Sequence, residues 1–329
     1  MSEATIGVDV GATTISGGLV THAGDILHVE QVLTRGTGSA TVVERLHGVI
    51  EELLGAARTA GLSLDGIGVG IAGVIDPERG AMRFHAKNGL PELAHLPLAR
   101  ELARGTGLPA FVDNDANALA LAEWRFGVAR GAHSLALLAL GTGVGGGMIV
   151  GDSLIRGHNG HAGEFHGVPV NFDGPPGAVG RGLLGEYVGG EAIAAAARAQ
   201  VAAGAGALLG EMAGGDAQAI TSELVFRAAR AGDLAAKAIV DRAYDALAAA
   251  IAFIANSLNP EVIVVTGGVA RSLVGLEDEL RARAGQYAVA AALAGTRLHV
   301  IGGDKRQTVR GGAALVCYEL RRAASPARA

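Results

Sequence analysis

Between Pro109 and Phe126 an apolar strand pattern passes without a linker into an alanine-rich helical pattern, and the corner carries Asp113, Asn114 and Asp115 in succession. Such a corner is the hallmark of the α/β class, in which ligands bind at the carboxyl ends of strands beside the helix that follows. Two uses of the polar run are open. Asp and Asn satisfy the unpaired N–H groups at a helix start, so the run reads as a cap. A cap needs one residue, however, and three leave carboxylates to spare beside a site.

The amino-terminal segment makes a related move. Ala4–Val10 and Ile15–Val20 read as strands joined by Gly11-Ala12-Thr13-Thr14, and a third strand, Ile26–Leu33, follows the turn Ala23-Gly24-Asp25. Asp9 thereby sits at a strand end beside a turn whose amides and hydroxyls suit a phosphate, with a carboxylate able to orient hydrated Mg²⁺. An ordinary glycine turn with a solvated aspartate is the plainer alternative. Apolar residues at Val42, Val43, Leu46, Val49, Ile50, Leu53 and Leu54 predict a helix over Thr41–Ala60. The strand Ile67–Ala72 follows, and the Asp76-Pro77 step after Gly73 marks the entry to a hairpin. Asn88 falls in a loop ahead of a helix around Leu98–Arg104, where an isolated asparagine ordinarily makes an Asx turn.

Ser134–Leu140 is an unbroken apolar strand that runs into Gly141-Thr142-Gly143-Val144-Gly145-Gly146-Gly147. Residues 141–146 satisfy the G-x-G-x-x-G dinucleotide fingerprint to the letter, but that fingerprint requires a helix after the glycines. Met148–Ile155 reads instead as strand, turn and strand, so a hairpin loop with accessible amides is expected rather than a Rossmann turn. Two strand, Gly/Thr turn, strand units facing one another would grip a polyphosphate from both sides. The next segment collects His158, His161, Glu164 and His166 in a glycine-rich loop. Their spacing matches no standard metal-ligand pattern, and Glu164 reads better as an acceptor for a polyhydroxylated ligand. Helical patterns cover Ala192–Ala203 and Asp233–Leu258, the latter stopped at Asn259-Pro260. The strand Glu261–Thr266 leads into Gly267-Gly268 and an expected helix, where the glycines suit either close approach of a flat group such as adenine or a plain tight turn. A strand at Leu298–Ile301 and a helix at Val309–Arg322 end the pattern.

Composition removes whole classes of function. The formal net charge of −5 gives no reason to expect nucleic acid or an anionic membrane as partner. Cys317 is the single cysteine, which excludes an intrachain disulfide and any zinc site of several thiolates. The start lacks the basic and apolar regions of a secretory signal, and the longest apolar helical run, Ala246–Ala255, is far short of the roughly 20 residues that span a bilayer. A soluble cytoplasmic protein is the expectation. The 52 glycines gather at strand ends instead of repeating with a period, which argues for tight turns near ligands rather than a fibrous chain.

Taken in order, Asp9-Val10-Gly11-Ala12-Thr13, Gly70-Ile71-Ala72-Gly73, Asn88, Asn114-Asp115-Ala116-Asn117-Ala118, Leu140 through Gly147, Arg156-Gly157 with Ala162-Gly163-Glu164-Phe165, and Leu258-Asn259-Pro260 with Gly267-Gly268 resemble the ROK family of sugar kinases over almost the whole chain. The resemblance implies an actin-like (ribonuclease H-like) ATPase fold, with two α/β domains around a central cleft. A small domain over 1–115, joined by a C-terminal helix at 308–322, and a large one over 116–307 are the expected divisions. The implied activity is glucokinase-like: ATP-dependent phosphorylation of the primary, C6-type hydroxyl of a hexose or hexose-like substrate. Asp9 would then serve Mg²⁺. Gly11, Ala12, Thr13 and Thr14 with Thr142 and Gly143 would hold the ATP phosphates, and Gly267 and Gly268 would lie against the adenosine. Gly73, Asn88, Asn114 and Glu164 look like sugar ligands, and Asp115 looks like the catalytic base at the sugar. The implied partner is a small sugar or sugar-like molecule, with neither nucleic acid nor membrane, in a homodimer or a dimer of dimers.

Departures from the family pattern concentrate in one loop. Members usually follow Glu-x-Gly-His with a C-x-C-G-x-x-G-C zinc motif, whereas here Glu164-Phe165-His166-Gly167 precedes Pro175-Pro176-Gly177-Ala178-Val179-Gly180-Arg181-Gly182-Leu183 and the cysteines are gone. We therefore expect no structural zinc and a loop held by packing of Val179, Leu183 and Leu184. The family's next sugar-binding Glu falls at Gly185, with Glu186 one residue late. His166 and Glu186 are candidate replacements, around either an ordinary hexose or a substrate altered at that end, such as an amino sugar or a carbocyclic valiolone-type sugar. Sugar-sensing repressors of the family carry an N-terminal DNA-binding segment, and with a strand read from Ala4 none is expected here.

Overall fold

The computed structural model describes residues 3–36, 39–85, 90–174, 176–177 and 180–324. In chain order the elements are β1 (Glu3–Val10), β2 (Thr14–Thr21), β3 (Ile26–Leu33), α1 (Val42–Thr59), β4 (Ser63–Ile71), β5 (Gly73–Asp76), β6 (Ala81–His85), α2 (Leu98–Thr106), β7 (Ala110–Asn114) and α3 (Asp115–Arg125). There follow β8 (Ser134–Leu140), β9 (Val144–Val150), β10 (Ser153–Leu154), α4 (Gly185–Val188), α5 (Gly190–Ala202), α6 (Ala207–Met212), α7 (Ser222–Arg230), α8 (Leu234–Leu258), β11 (Val262–Thr266), α9 (Glu277–Ala284), α10 (Ala290–Ala294), β12 (Arg297–Val300) and α11 (Lys305–Ala324). They pack into two compact units: Met1–Ala132 with Gly147–Ala162 and Asp304–Ala329, and His133–Gly146 with Gly163–Gly303.

In the first unit a five-stranded sheet runs β3-β2-β1-β4-β7, antiparallel from β3 to β1 and parallel from β1 to β7. Every residue of β1 after Glu3 is buried, which explains why its apolar residues do not alternate with solvent-facing polar ones. Successive residues of a strand point to opposite faces. Gly17 of β2 faces Val49 and Leu53 of α1, and Gly18 faces Val309 of α11, so the two helices cover opposite faces of the sheet. On the α11 face the approach is backbone to backbone: a Cβ on Gly68 would lie 1.9 Å from the carbonyl oxygen of Gly312. Only glycine fits there, and the contact seats α11 firmly against β1 and β4. On the other face Leu46, Val49, Ile50 and Leu53 of α1 bury against Ile6, Val8, Ile15 and Leu19. A capping box between Thr41 and Glu44 starts α1 one residue after the Thr41 expected from periodicity.

The second sheet has the order β10-β9-β8-β11-β12, with β8, β11 and β12 parallel. In the second unit α5 and α7 flank α8, whose buried residues include Leu247, Ile251 and Ile254, and α9 packs along the same helix. Two local expectations need correction. A 3₁₀ turn, Val269–Ser272, follows Gly267-Gly268, and no α-helix starts until α9 at Glu277 because Gly275, at φ +86°, breaks the run. The final helix begins at Lys305 and not at Val309, because Asp304 and Gln307 cap it reciprocally: the Gln307 amide donates to Asp304 Oδ1 at 2.9 Å and the Asp304 amide to Gln307 Oε1 at 3.2 Å. No helix among the described residues is long and apolar enough to cross a membrane.

Candidate active site

The polar corner at the end of β7 divides its duties residue by residue. Asp113 is 2% exposed: its Oδ1 accepts the Asn114 amide at 2.7 Å and Asn117 Nδ2 at 3.0 Å, and its Oδ2 accepts Arg156 Nε at 2.7 Å. Asn114 is the N-cap of α3. Its Oδ1 accepts the amides of Ala116 (2.9 Å) and Asn117 (3.2 Å), while Nδ2 donates to the Gly73 carbonyl at 3.0 Å. Gly73 holds that carbonyl in place at φ +142°, a conformation that favours glycine. Asp115, half-buried, is the first residue of α3 and accepts the Ala116 amide on Oδ1 at 2.9 Å. The helix dipole favours a carboxylate there. Capping and function are therefore not rivals at this corner: Asn114 caps, Asp113 anchors, and Asp115 is presented at the helix start.

Arg156, 12% exposed, bridges Asp113 and Glu319 of α11. Burial works against its charge, but the two carboxylates outweigh burial and hold the guanidinium's pKa above the usual value. Asn88 lies outside the described residues.

Also in the first unit, the Gly11–Thr14 turn is pinned from three sides. The Gly11 amide donates to the Thr14 carbonyl at 3.0 Å, the Thr34 hydroxyl to the Gly11 carbonyl at 2.6 Å and the Thr34 amide to the Thr13 carbonyl at 2.9 Å. Ala12 and Thr13 stay exposed at its tip. Asp9, 7% exposed, pairs through Oδ2 with Lys305 Nζ at 3.2 Å.

In the second unit the glycine loop after β8 leads into a strand and not a helix, which rules out the Rossmann reading. Its carbonyls are spoken for: those of Gly141 and Thr142 accept the amides of Gly190 (2.9 Å) and Glu191 (3.1 Å) at the start of α5. Gly141, Thr142 and Gly143 are exposed, and no atom lies within 4 Å of where a Cβ on Gly141 or Gly143 would stand. Gly267, at φ +106°, lies so close to the Leu140 carbonyl that a Cβ would be 2.4 Å from its oxygen, whereas Gly268 faces open space. Close packing thus demands glycine at 267, and the open side is at 268.

Glu164 and His166 straddle the buried Phe165 on one 3₁₀ turn, with His166 Nδ1 2.9 Å from Glu164 Oε2. The bond to Glu164 raises the imidazole pKa above its ordinary 6.5, with burial opposing. His166 also sits over Gly185, whose Cβ would be 3.3 Å from that of His166, so the missing side chain at 185 makes room for the histidine. Glu186 is exposed and folds against Gly177. Around them Val168–Leu184 is laced by backbone bonds. The Leu184 amide donates to Val168 at 2.9 Å, and those of Val170 and Asn171 to Gly182 at 2.9 and 3.1 Å. Arg181 Nη1 donates to the Gly174 carbonyl at 2.8 Å and Leu184 is fully buried, while Leu183 is half-buried and Val179 lies outside the described residues. With Cys317 as the only thiol, we expect purified protein to carry no stoichiometric zinc and chelator to leave its melting temperature unchanged. Elemental analysis and a melt with and without EDTA check this; zinc near one per chain would contradict it.

Two residues that matter here carried no role in the sequence reading. Arg156 stood inside a motif without an assigned partner, and Lys305 fell before the expected start of its helix; the Asp304-x-x-Gln307 capping pattern was the signal that would have found the latter.

The family described as ROK matches residues 5–318. A glucokinase of Thermotoga maritima is 37% identical over 86% of this chain and 87% of its own length. The crystal structure of a ROK family glucokinase from Streptomyces griseus, in complex with glucose and AMPPNP, aligns with a TM-score of 0.70 at 31% identity, covering 94% of this chain and 98% of that one. A ROK hexokinase from Thermus thermophilus aligns with a TM-score of 0.75 at 27% identity over 97% and 99% of the two chains.

Proposed function

This chain belongs to the ROK family and has its actin-like ATPase fold, and we propose from that footing how it works as an ATP-dependent hexose kinase acting on the primary hydroxyl. The observation that carries the residue assignments is the division of duties at 113–115, in which two neighbours are bound into the scaffold and Asp115 is set at a strand end on a helix start.

Phosphoryl transfer asks little covalent chemistry of a protein; it needs an acceptor oxygen in line with the γ-phosphorus, neutralised charge and a group to take the acceptor's proton. Asp115 takes that proton. Gly11–Thr14 and Thr142-Gly143 bind the phosphates through backbone amides and hydroxyls, and Gly267-Gly268 takes the adenosine. Asp9 fits a magnesium site, being a hard oxygen donor buried beside the phosphate turn, and a bound Mg²⁺ would neutralise phosphate charge there. At the sugar end Gly73, Asn114 and Glu164 are the hydroxyl ligands: the Asn114 amide has a second N–H beyond the one given to Gly73, and Glu164 accepts.

His166 acts on Glu164, because its Nδ1 lies on that carboxylate. Its folded pKa is raised, so the stabilising ion pair is complete below about 6.5 and is lost as pH climbs through the raised value. Both side chains are more than a third exposed, which keeps the effect on stability small. The expected outcome is that the hexose KM of the wild type shows an ionisation above 6.5 that His166→Asn lacks, with kcat little changed. Identical KM profiles for the two proteins would count against the coupling.

The glucokinase relatives favour an ordinary hexose over an amino or carbocyclic sugar. Coupled ADP release across glucose, mannose, fructose, N-acetylhexosamines, amino sugars and cyclitols tests this. Glucose is expected to turn over best, and a clear preference for an amino sugar or cyclitol would reverse the assignment.

A further inference from the structure

We propose that Lys305 is a phosphate ligand of the nucleotide site, a role that rests on reading Gly11–Thr14 as a phosphate turn. The first residue of α11 is brought to the end of β1 across 296 positions of sequence, and it is held there by the glycine packing of α11 on the sheet and by the Asp304–Gln307 cap. Its Nζ lies 3.2 Å from Asp9 Oδ2 and 3.8 Å from where a Cβ on Gly11 would stand, directly beside the turn.

One property of that turn calls for a cation, and two call for an anion. Asp9 is buried there, and an unneutralised carboxylate would repel a polyphosphate at the groups meant to receive it. Among the described residues the amides of Ala12 and Thr13 donate to no protein acceptor, and the Thr14 hydroxyl is buried without a partner. Those donors suit an anion, yet a buried carboxylate, Asp9, stands at the end of the strand that leads into the turn. Lys305 resolves the conflict. With 52% of its side chain exposed on a flexible four-carbon stem, its ammonium can reach a phosphate oxygen while staying beside Asp9. The ammonium then lies between Asp9 and the phosphates, so that carboxylate and phosphate oxygens each face a cation rather than one another.

The rival reading is that Lys305 only neutralises Asp9. Calorimetric titration of adenosine and ADP, in chelator so that no metal contributes, separates them. Lys305→Met is expected to weaken ADP about tenfold or more, the worth of a charged hydrogen bond, with adenosine affinity unchanged and Lys305→Arg close to wild type. The loss is expected to persist in the Asp9→Asn background, where there is no carboxylate left to neutralise. ADP binding by Asp9→Asn/Lys305→Met equal to that by Asp9→Asn would overturn the proposal, as would an equal loss for adenosine in Lys305→Met. Wild-type protein that bound adenosine but gained nothing from the two phosphates of ADP would remove both this role and the assignment of the turn, whereas failure to bind either compound would strike at the kinase reading itself.

Discussion

Asp115→Asn is expected to lower kcat by about 10²- to 10⁴-fold, the usual contribution of a positioned proton acceptor, while the KM values for hexose and ATP change little. Asparagine is nearly isosteric and keeps an oxygen for the Ala116 amide that the Asp115 carboxylate now accepts, so the start of α3 survives the exchange. The Asn114 cap and the buried Asp113 are untouched as well. The two substitutions at the same corner should therefore part company: Asp115→Asn loses turnover with a wild-type melting temperature, whereas Asn114→Ala loses stability through the cap, by about 1 kcal/mol. Steady-state kinetics beside thermal melts tell them apart, and a kcat for Asp115→Asn within a few-fold of wild type would show that another group takes the proton.

The largest effect on stability is expected at Arg156. Its guanidinium bridges Asp113 and Glu319 at 12% exposure, and Asp113 is itself only 2% exposed. Arg156→Met keeps the volume but leaves two carboxylates without their cation, a change that costs about 3–5 kcal/mol where a buried pair is broken from one side. The consequence reaches the chemistry, because Asp113 Oδ1 orients the Asn114 amide and Asn117 immediately around Asp115. Urea unfolding measures the loss. Adding Asp113→Asn to Arg156→Met should restore part of it by removing a stranded charge, and non-additivity of that kind is what a double-mutant cycle reads from a direct pair. A loss below about 1 kcal/mol would place the bridge among ordinary surface ion pairs.

Much of this architecture is legible in sequence because it is local. An apolar strand running straight into a helix announces the β7–α3 corner, and the strand pattern that continues through Met148–Val150, part of β9, is enough to reject a dinucleotide fingerprint that 141–146 otherwise satisfy. What could not be read was pairing at a distance. Arg156 meets Asp113 and Glu319 across 43 and 163 positions, and no periodicity links them. Lys305 reaches Asp9 only because Gly7, Gly68 and Gly312 let a helix lie backbone to backbone on a sheet, which is a property of three glycines far apart in the chain. The three residues at 113–115 are alike in polarity from sequence, and only their partners distinguish the buried anchor at Asp113, the cap at Asn114 and the helix-start carboxylate at Asp115. His166 was a candidate for a sugar ligand by position, and what the sequence did not show is that a 3₁₀ turn around Phe165 lays its Nδ1 on Glu164.

The most direct test is to incubate the wild-type protein with glucose and Mg²⁺-ATP and determine by NMR where the phosphate is carried, with ADP counted in parallel. The account predicts one ADP per sugar phosphate and the phosphate on the primary hydroxyl. A phosphate on any ring hydroxyl, or ADP formed without a phosphorylated sugar, would contradict it.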